Sequence, residues 1–160
     1  MSRFRLLVSL VSSLIVATPA IAGTATDLAA AARDCAASMN AGDVVVMRLQ
    51  VLGWRPSPPT GKIRGSVEKY GLAVFTKGLA ATQIVVGKRS EIGAPCLVYS
   101  EGLSASELTT FRSSLVEALQ SQQFDPTDNG GTIYTSRNLF VLDIGKTEDH
   151  YSALISIFEK

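Results

Sequence analysis

The chain has 160 residues, of which 46% are hydrophobic and 18% are charged, and its formal net charge is +1. This length suits a single domain that buries a core. A net charge so close to zero argues against a general electrostatic attraction to nucleic acid or to an anionic membrane surface. We therefore predict no nucleic-acid partner.

The first 22 residues have the pattern of a secretory signal peptide. Arg3 and Arg5 form a positive leader before the apolar run Leu6–Val16. Pro19 follows this run, just before Ala20–Ala22, a small-x-small triplet of the kind that signal peptidase accepts. A membrane-spanning helix needs roughly 20 apolar residues, and this run is shorter. We predict cleavage after the triplet, no integral membrane segment in the mature chain, and a periplasmic or secreted bacterial protein.

The two cysteines, Cys35 and Cys96, are predicted to form a disulfide bond. An exported protein meets an oxidising compartment, where a neighbouring pair of thiols becomes a bridge. Their long separation in the sequence excludes a C-x-x-C redox motif. The bond requires the fold to bring the two Cα atoms within about 7 Å of each other.

Two elements are predicted before the first loop. The alanine-rich segment Thr26–Met39 is typical of a helix, with its threonine as the N-cap and Asn40–Gly42 as its end. Val44–Leu52 is flanked by the cap residues Asp43 and Gly53, which favour a helix. Its valines also fit a strand, and this alternative stays open.

Prolines and glycines predict that Trp54–Gly65 is a loop. Ser66 is then expected to cap a helix over Val67–Lys77. Gln83–Val86 and Cys96–Tyr99 are rich in strand-forming residues, and we predict that they form an antiparallel pair.

The helix predicted over Ala105–Gln122 has the strongest sequence signals. Ser104 and Glu107 have the spacing of a capping box, in which each side chain bonds the other residue's backbone amide. Apolar residues recur on one face at helical spacing. They are Leu108, Phe111, Leu115 and Leu119.

The turn residues Asp125–Gly131 precede the last predicted strands. These strands are Ile133–Tyr134, Leu139–Ile144 and Tyr151–Phe158. We therefore predict a single exported α+β domain over residues 23–160. Its antiparallel sheet has about four or five strands, packs against two or three helices, and carries one disulfide.

No sequence motif predicts catalysis, metal binding or a cofactor. The single histidine, His150, lies in a polar turn and is expected to be exposed rather than catalytic. Ser104 lacks the second glycine of a nucleophile elbow, so we interpret it as a helix cap. Asp125–Gly131 and Thr60–Lys62 only resemble calcium and phosphate loops, because required carboxylate and glycine positions are not filled. No zinc site is predicted, since both cysteines are expected to be bridged.

The segment Trp54–Arg64 is the candidate binding site. It carries Arg55, Lys62 and Arg64 without an acidic residue, and cations suit anionic groups. Tryptophan is a common interface anchor, and prolines reduce the entropy that a loop loses on binding. The alternative is an ordinary solvated connector in which Trp54 belongs to the core.

The leading hypothesis is a non-catalytic binding or interaction module of the cell envelope, with an envelope protein or an anionic ligand as its partner. It would use this loop or an exposed sheet face. A small carboxylate-dependent envelope hydrolase is the first alternative, and it requires two acidic groups in one cleft. The second alternative is a carrier of a small apolar ligand between sheet and helix.

Overall fold

The computed structural model describes residues 24–78, 81–88, 94–121, 127–129, 131–147 and 149–160. The predicted signal peptide, residues 1–22, lies outside these ranges, and so does part of the predicted turn 125–131. Among the described residues the helices are α1 (Ala25–Ser38), α2 (Val46–Val51), α3 (Arg64–Tyr70) and α4 (Ala105–Gln120). A single 3-10 turn, Gly61–Ile63, precedes α3.

Eight of the described strands form one antiparallel sheet in the order β3-β4-β5-β6-β10-β9-β8-β7. A separate two-stranded ribbon joins β1 to β2. The strands are β1 (Met39–Asn40), β2 (Asp43–Val44), β3 (Arg55–Pro56), β4 (Ala73–Thr76), β5 (Gln83–Val86), β6 (Cys96–Leu103), β7 (Thr127–Asn129), β8 (Thr132–Tyr134), β9 (Asn138–Lys146) and β10 (Tyr151–Glu159). The long strands β6 and β10 occupy the centre, and the shortest lie at the edges.

The predicted α+β class and antiparallel sheet are confirmed, but the predicted strand number of four or five is wrong. Strands β3, β4 and β7 were not predicted. Each has only two to four residues, too few for the alternating pattern by which a strand is recognised. They exist because neighbouring strands supply their hydrogen bonds.

The helix predicted over Val67–Lys77 with Ser66 as its cap is wrong at both ends, because α3 begins at Arg64 and ends at Tyr70. Gly71 ends α3 in the left-handed conformation, with φ of 61°, which glycine adopts at little cost. The following residues then form β4, which is paired on both sides by β3 and β5. Two hydrogen-bonded neighbours outweigh the weak helix propensity of the segment.

Two smaller corrections concern helix starts. Thr24 caps α1, since its Oγ1 accepts from the backbone amide of Asp27 at 3.0 Å, whereas Thr26 was predicted to do so. In the ambiguous segment Val44–Leu52, Val44 belongs to β2 and the helix begins at Val46. Sequence therefore placed both helices correctly to within two residues. The capping box that begins α4 is confirmed.

One face of the sheet is covered by α1 and α4. Helix α1 is buried on nearly every side, and its alanines let it approach both α4 and the central strands closely. Helix α4 buries the single apolar stripe that its spacing predicts. The sheet meets these helices with Ala153, Ile155 and Ile157 from β10, all of them buried.

The predicted disulfide is confirmed and joins α1 to the sheet. Cys35 on α1 and Cys96 on β6 are both buried, and their Cα atoms lie 6.7 Å apart. The bond therefore fixes the most buried helix to a central strand. Closing so long a loop restricts the unfolded chain, and in the chain-entropy model this stabilises the fold by about 4 kcal/mol.

Reducing this bond is expected to lower the free energy of unfolding by about 4 kcal/mol, because the unfolded chain regains its loop entropy. The measurement is urea unfolding of the wild-type protein with and without a reductant. In the Cys35→Ala/Cys96→Ala variant the reductant should have no effect. Equal stability of oxidised and reduced wild type would contradict the structural role of the bond.

Candidate functional site: a cleft beneath α3

The structure separates the four predicted binding residues. Trp54 is buried, with 3% of its surface exposed, on the face of the sheet that α1 and α4 cover. Arg55 is exposed and pairs with Thr76 on the opposite face. Lys62 and Arg64 are also exposed, next to and within the first turn of α3. The indole therefore packs in the core. The cations lie at the surface, where Arg55 Nη1 donates to the Gln50 carbonyl and Arg64 Nε to the Pro59 carbonyl, both at 3.3 Å.

The loop before α3 is held against the sheet by a polar anchor. Gln83 on β5 is buried, and its side chain bonds Thr60 three times: Nε2 donates to Oγ1 at 2.6 Å and to the carbonyl at 3.3 Å, and Oε1 accepts from the amide at 3.1 Å. Gly61 has φ of 66°, and a Cβ there would overlap the Glu101 carboxylate. The left-handed φ favours glycine here, and the loop that carries Lys62 and Arg64 is attached to the sheet.

Tyr99 completes this anchor. Its hydroxyl donates to Glu101 Oε2 at 2.9 Å and accepts from the backbone amide of Lys62. Burial, reinforced by the hydrogen bond to the Glu101 carboxylate and by its charge, raises the pKa of Tyr99 to about 12. The phenol is therefore neutral at physiological pH and acts as a structural donor.

An apolar cleft lies between α3 and the sheet. Val67 on α3 packs on Val74 and Val85, and beside this contact a cleft of about 250 Å³ remains open. The lining is largely apolar and consists of Ile63, Ser66, Val67, Tyr70, Leu72, Val85, Leu97 and Leu154. Tyr70 is 45% exposed at its margin. The cleft is therefore an accessible apolar depression on the face that α1 and α4 leave uncovered.

Basic residues adjoin the lining residues of the cleft along the chain. Lys62 and Arg64 are the chain neighbours of the lining residue Ile63, and Lys69 precedes Tyr70, with its Nζ 5.0 Å from the ring centre. Sequence reasoning missed this cleft because it continued α3 to Lys77. A usable signal was present: Ile63, Val67 and Tyr70 have the i, i+4, i+7 spacing of one helical face.

A polar pocket of about 230 Å³ lies on the opposite face, around the buried Asp34 of α1. Asp34 Oδ1 accepts from Arg33 Nε at 3.0 Å and Nη2 at 2.6 Å. Its Oδ2 accepts from Trp54 Nε1 at 3.0 Å and lies 3.7 Å from Lys77 Nζ. Both carboxylate oxygens are therefore occupied, which suits a structural anchor better than a general base.

His150 and Ser104, the other residues considered for catalysis, make local hydrogen bonds. His150 is exposed, as expected, and its carbonyl accepts from Thr147 Oγ1 at 2.7 Å. Ser104 accepts from the amide of Glu107 at 3.2 Å as the cap of α4. Within the described ranges, no three histidine, cysteine, aspartate or glutamate side chains lie close enough together to hold a metal ion.

Comparison with known proteins gives no relative: no family model, no curated protein and no solved structure matches the chain. In the part of the chain that the structure describes, no helix combines the length and the apolar character that crossing a membrane requires. The site must therefore be interpreted from its own chemistry.

Replacing Trp54 by Phe should lower the free energy of unfolding by about 1–3 kcal/mol, because a donor to a buried carboxylate is lost. The loss should be smaller in an Asp34→Ala background, where the carboxylate is already absent. A double-mutant cycle by urea unfolding measures this coupling. A coupling free energy of zero would show that the Trp54–Asp34 hydrogen bond does not contribute to stability.

The raised pKa of Tyr99 predicts that the protein loses stability at alkaline pH. The pKa of Tyr99 in the folded protein is about 12, above the ordinary value of 10.0. The contribution of Tyr99 to the free energy of unfolding is therefore fully present below pH 10 and is lost as the pH rises towards 12. The unfolding free energy should therefore fall more steeply across this range in the wild type than in Tyr99→Phe. Tyr70→Phe, at the exposed margin, is the matched control and should follow the wild type.

Proposed function

We propose that this protein is a non-catalytic exported binding module, and that its binding site is the cleft beneath α3. The observation that carries the proposal is an accessible apolar cleft whose lining residue Ile63 lies between the exposed residues Lys62 and Arg64 in the chain. Such a site suits a partner that presents an apolar side chain beside an acidic group. The apolar lining provides most of the contact area, and the cations select the charge.

The size of the cleft favours a protein partner over an enclosed small molecule. Pockets that enclose a ligand of drug size have volumes of about 300–1,000 Å³, and this cleft has about 250 Å³. It accommodates one side chain or a short apolar group. The larger part of a partner would then rest on the surrounding surface, which supports an interaction module over a carrier.

The polar anchor supports the same function. Gln83, Gly61 and Tyr99 hold the loop before binding occurs, so little conformational entropy remains to be lost. The disulfide supports export, since a structural bridge of this kind forms in an oxidising compartment. Hydrolysis would need available paired carboxyl groups, whereas Asp34, the buried carboxylate of the described residues, has both oxygens engaged.

The test is photo-crosslinking in cells that produce and export the chain. Ser66 lines the cleft and is exposed, so a benzophenone side chain there should crosslink one discrete envelope protein. Lys62→Ala/Arg64→Ala should lower the yield about fivefold, since each exposed ion pair contributes about 0.5 kcal/mol. The charge-conserving variant Lys62→Arg/Arg64→Lys should retain most of it.

Met47 provides the positional control, because it is 73% exposed on α2 and does not line the cleft. A benzophenone at Met47 should not give the same product. Identical products at both positions, or a yield independent of Lys62 and Arg64, would overturn the cleft assignment. A small apolar molecule retained by the purified protein in native mass spectrometry would favour the carrier instead.

A further inference from the structure

The far end of β9 is an open sheet edge. Strand β8 reaches only as far as the pair Thr132–Val141, and the next contact is the Leu142 amide donating to the Gly131 carbonyl at 3.0 Å. From Asp143 to Lys146, β9 continues to pair with β10 on its inner side. On its outer side, no strand of the described ranges is paired with it.

The hydrogen bonds show which backbone groups point outwards. The Leu142 amide points away from β10, and the Thr147 amide points towards it, donating to the His150 carbonyl at 2.8 Å. Backbone groups alternate in direction along an antiparallel strand. Ile144 and Lys146 therefore direct their N–H and C=O groups to the open edge, whereas Asp143 and Gly145 direct theirs to β10.

An open groove runs beside this edge. Ile144 is 46% exposed and lies with Leu142 on the face that α4 partly covers. The opposite wall is the ion pair Arg112–Asp128, joined by a hydrogen bond of 3.0 Å from Nε to Oδ2. The space between them is about 690 Å³, large enough for side chains that enter from one side of an added strand.

We propose that this edge binds an extended peptide segment of a partner protein by strand addition. The outward donors and acceptors of Ile144 and Lys146, which no described strand pairs, match a peptide backbone, and the groove takes alternate side chains. The apolar surface of Leu142 and Ile144 favours apolar residues at those positions. This site is separate from the cleft beneath α3, on the other face of the sheet, and does not depend on it.

A partner peptide fits the edge better than a second copy of the chain does. Four residues of open edge span about 13 Å, and pairing two such edges buries far less than the roughly 1,200 Å² of a stable interface. Lys146 does not block the approach across the edge, because its Nζ lies 5.8 Å from the centre of the Tyr151 ring on β10. By contrast, β3 at the far edge of the sheet carries Pro56, which has no donor.

The test begins with selection from a display library of random twelve-residue peptides on the oxidised mature chain. Selected peptides should have apolar residues at alternate positions. Ile144→Pro should weaken the best peptide at least about tenfold, since it removes an outward donor and leaves an acceptor unpaired. The β9–β10 hydrogen bonds should survive, because proline is tolerated where the N–H faces away from the ladder. Tyr70→Ala, in the α3 cleft, should bind this peptide as the wild type does.

Two measurements on the wild type keep the test independent of how the proline variant folds. Methylating the backbone nitrogens of one set of alternate residues in the selected peptide should abolish binding. Methylating the other set should leave binding intact. By NMR, the amides of Ile144 and Lys146 should exchange rapidly in the free protein and become protected by the peptide. The amides of Asp143 and Gly145 should be protected in both states.

Several results would overturn the proposal. The first is that the selection enriches no peptide. The second is that N-methylation of either set of alternate residues leaves binding unchanged. The third is that the peptide protects from exchange only amides outside β9. Concentration-dependent dimerisation that Ile144→Pro abolishes would show that the occupant of the edge is a second copy. Crosslinking at Ser66 is a separate readout, so failure at this edge leaves the cleft proposal standing.

Discussion

The attachment of α1 to the sheet is the constraint on which the rest of the structure depends. Helix α1 contacts α4 and the central strands, so both layers of the covered face are positioned by it. Two interactions from adjacent residues hold it. Cys35 bonds covalently to β6, and Asp34 accepts the indole N–H of Trp54 just before β3. One turn of helix therefore fixes both the middle of the sheet and its far edge.

This attachment makes the two faces of the sheet unequal. The helical layer is built on α1, whose small alanine side chains allow close packing against α4. Among the described residues, the helix that packs on the other face is α3, which has seven residues and covers part of β4, β5 and β6. Apolar surface consequently remains accessible beside α3, and an exposed apolar cleft on a small domain commonly marks an interaction site. The proposed function follows from this asymmetry.

Rigidity near the cleft comes from polar groups. Gln83 and Tyr99 lie on neighbouring strands and bond Thr60 and Lys62 of the loop, respectively. Between these two residues, Gly61 allows the Glu101 carboxylate to approach the backbone. These contacts order a segment whose composition alone suggests a solvated connector. The open end of β9 has the opposite character, because its backbone donors and acceptors remain unpaired within the described residues. The protein thus combines a preformed cleft with an edge that a partner's backbone would complete.

The sequence by itself determined the features that local chemistry specifies. The capping box and apolar stripe predicted α4, and strand-forming residues predicted β5, β6 and β10. Two cysteines in a chain with an export signal predicted the disulfide. Only the tertiary structure decided β3, β4 and β7, the burial of Trp54 and the cleft beneath α3. A strand of two to four residues is too short to show the alternation of apolar and polar residues that identifies a strand. It forms because neighbouring strands supply its hydrogen bonds. Trp54 packs in the hydrophobic core, where Asp34, twenty positions earlier on α1, accepts its N–H. The residues around Trp54 in the sequence do not reveal so distant a partner.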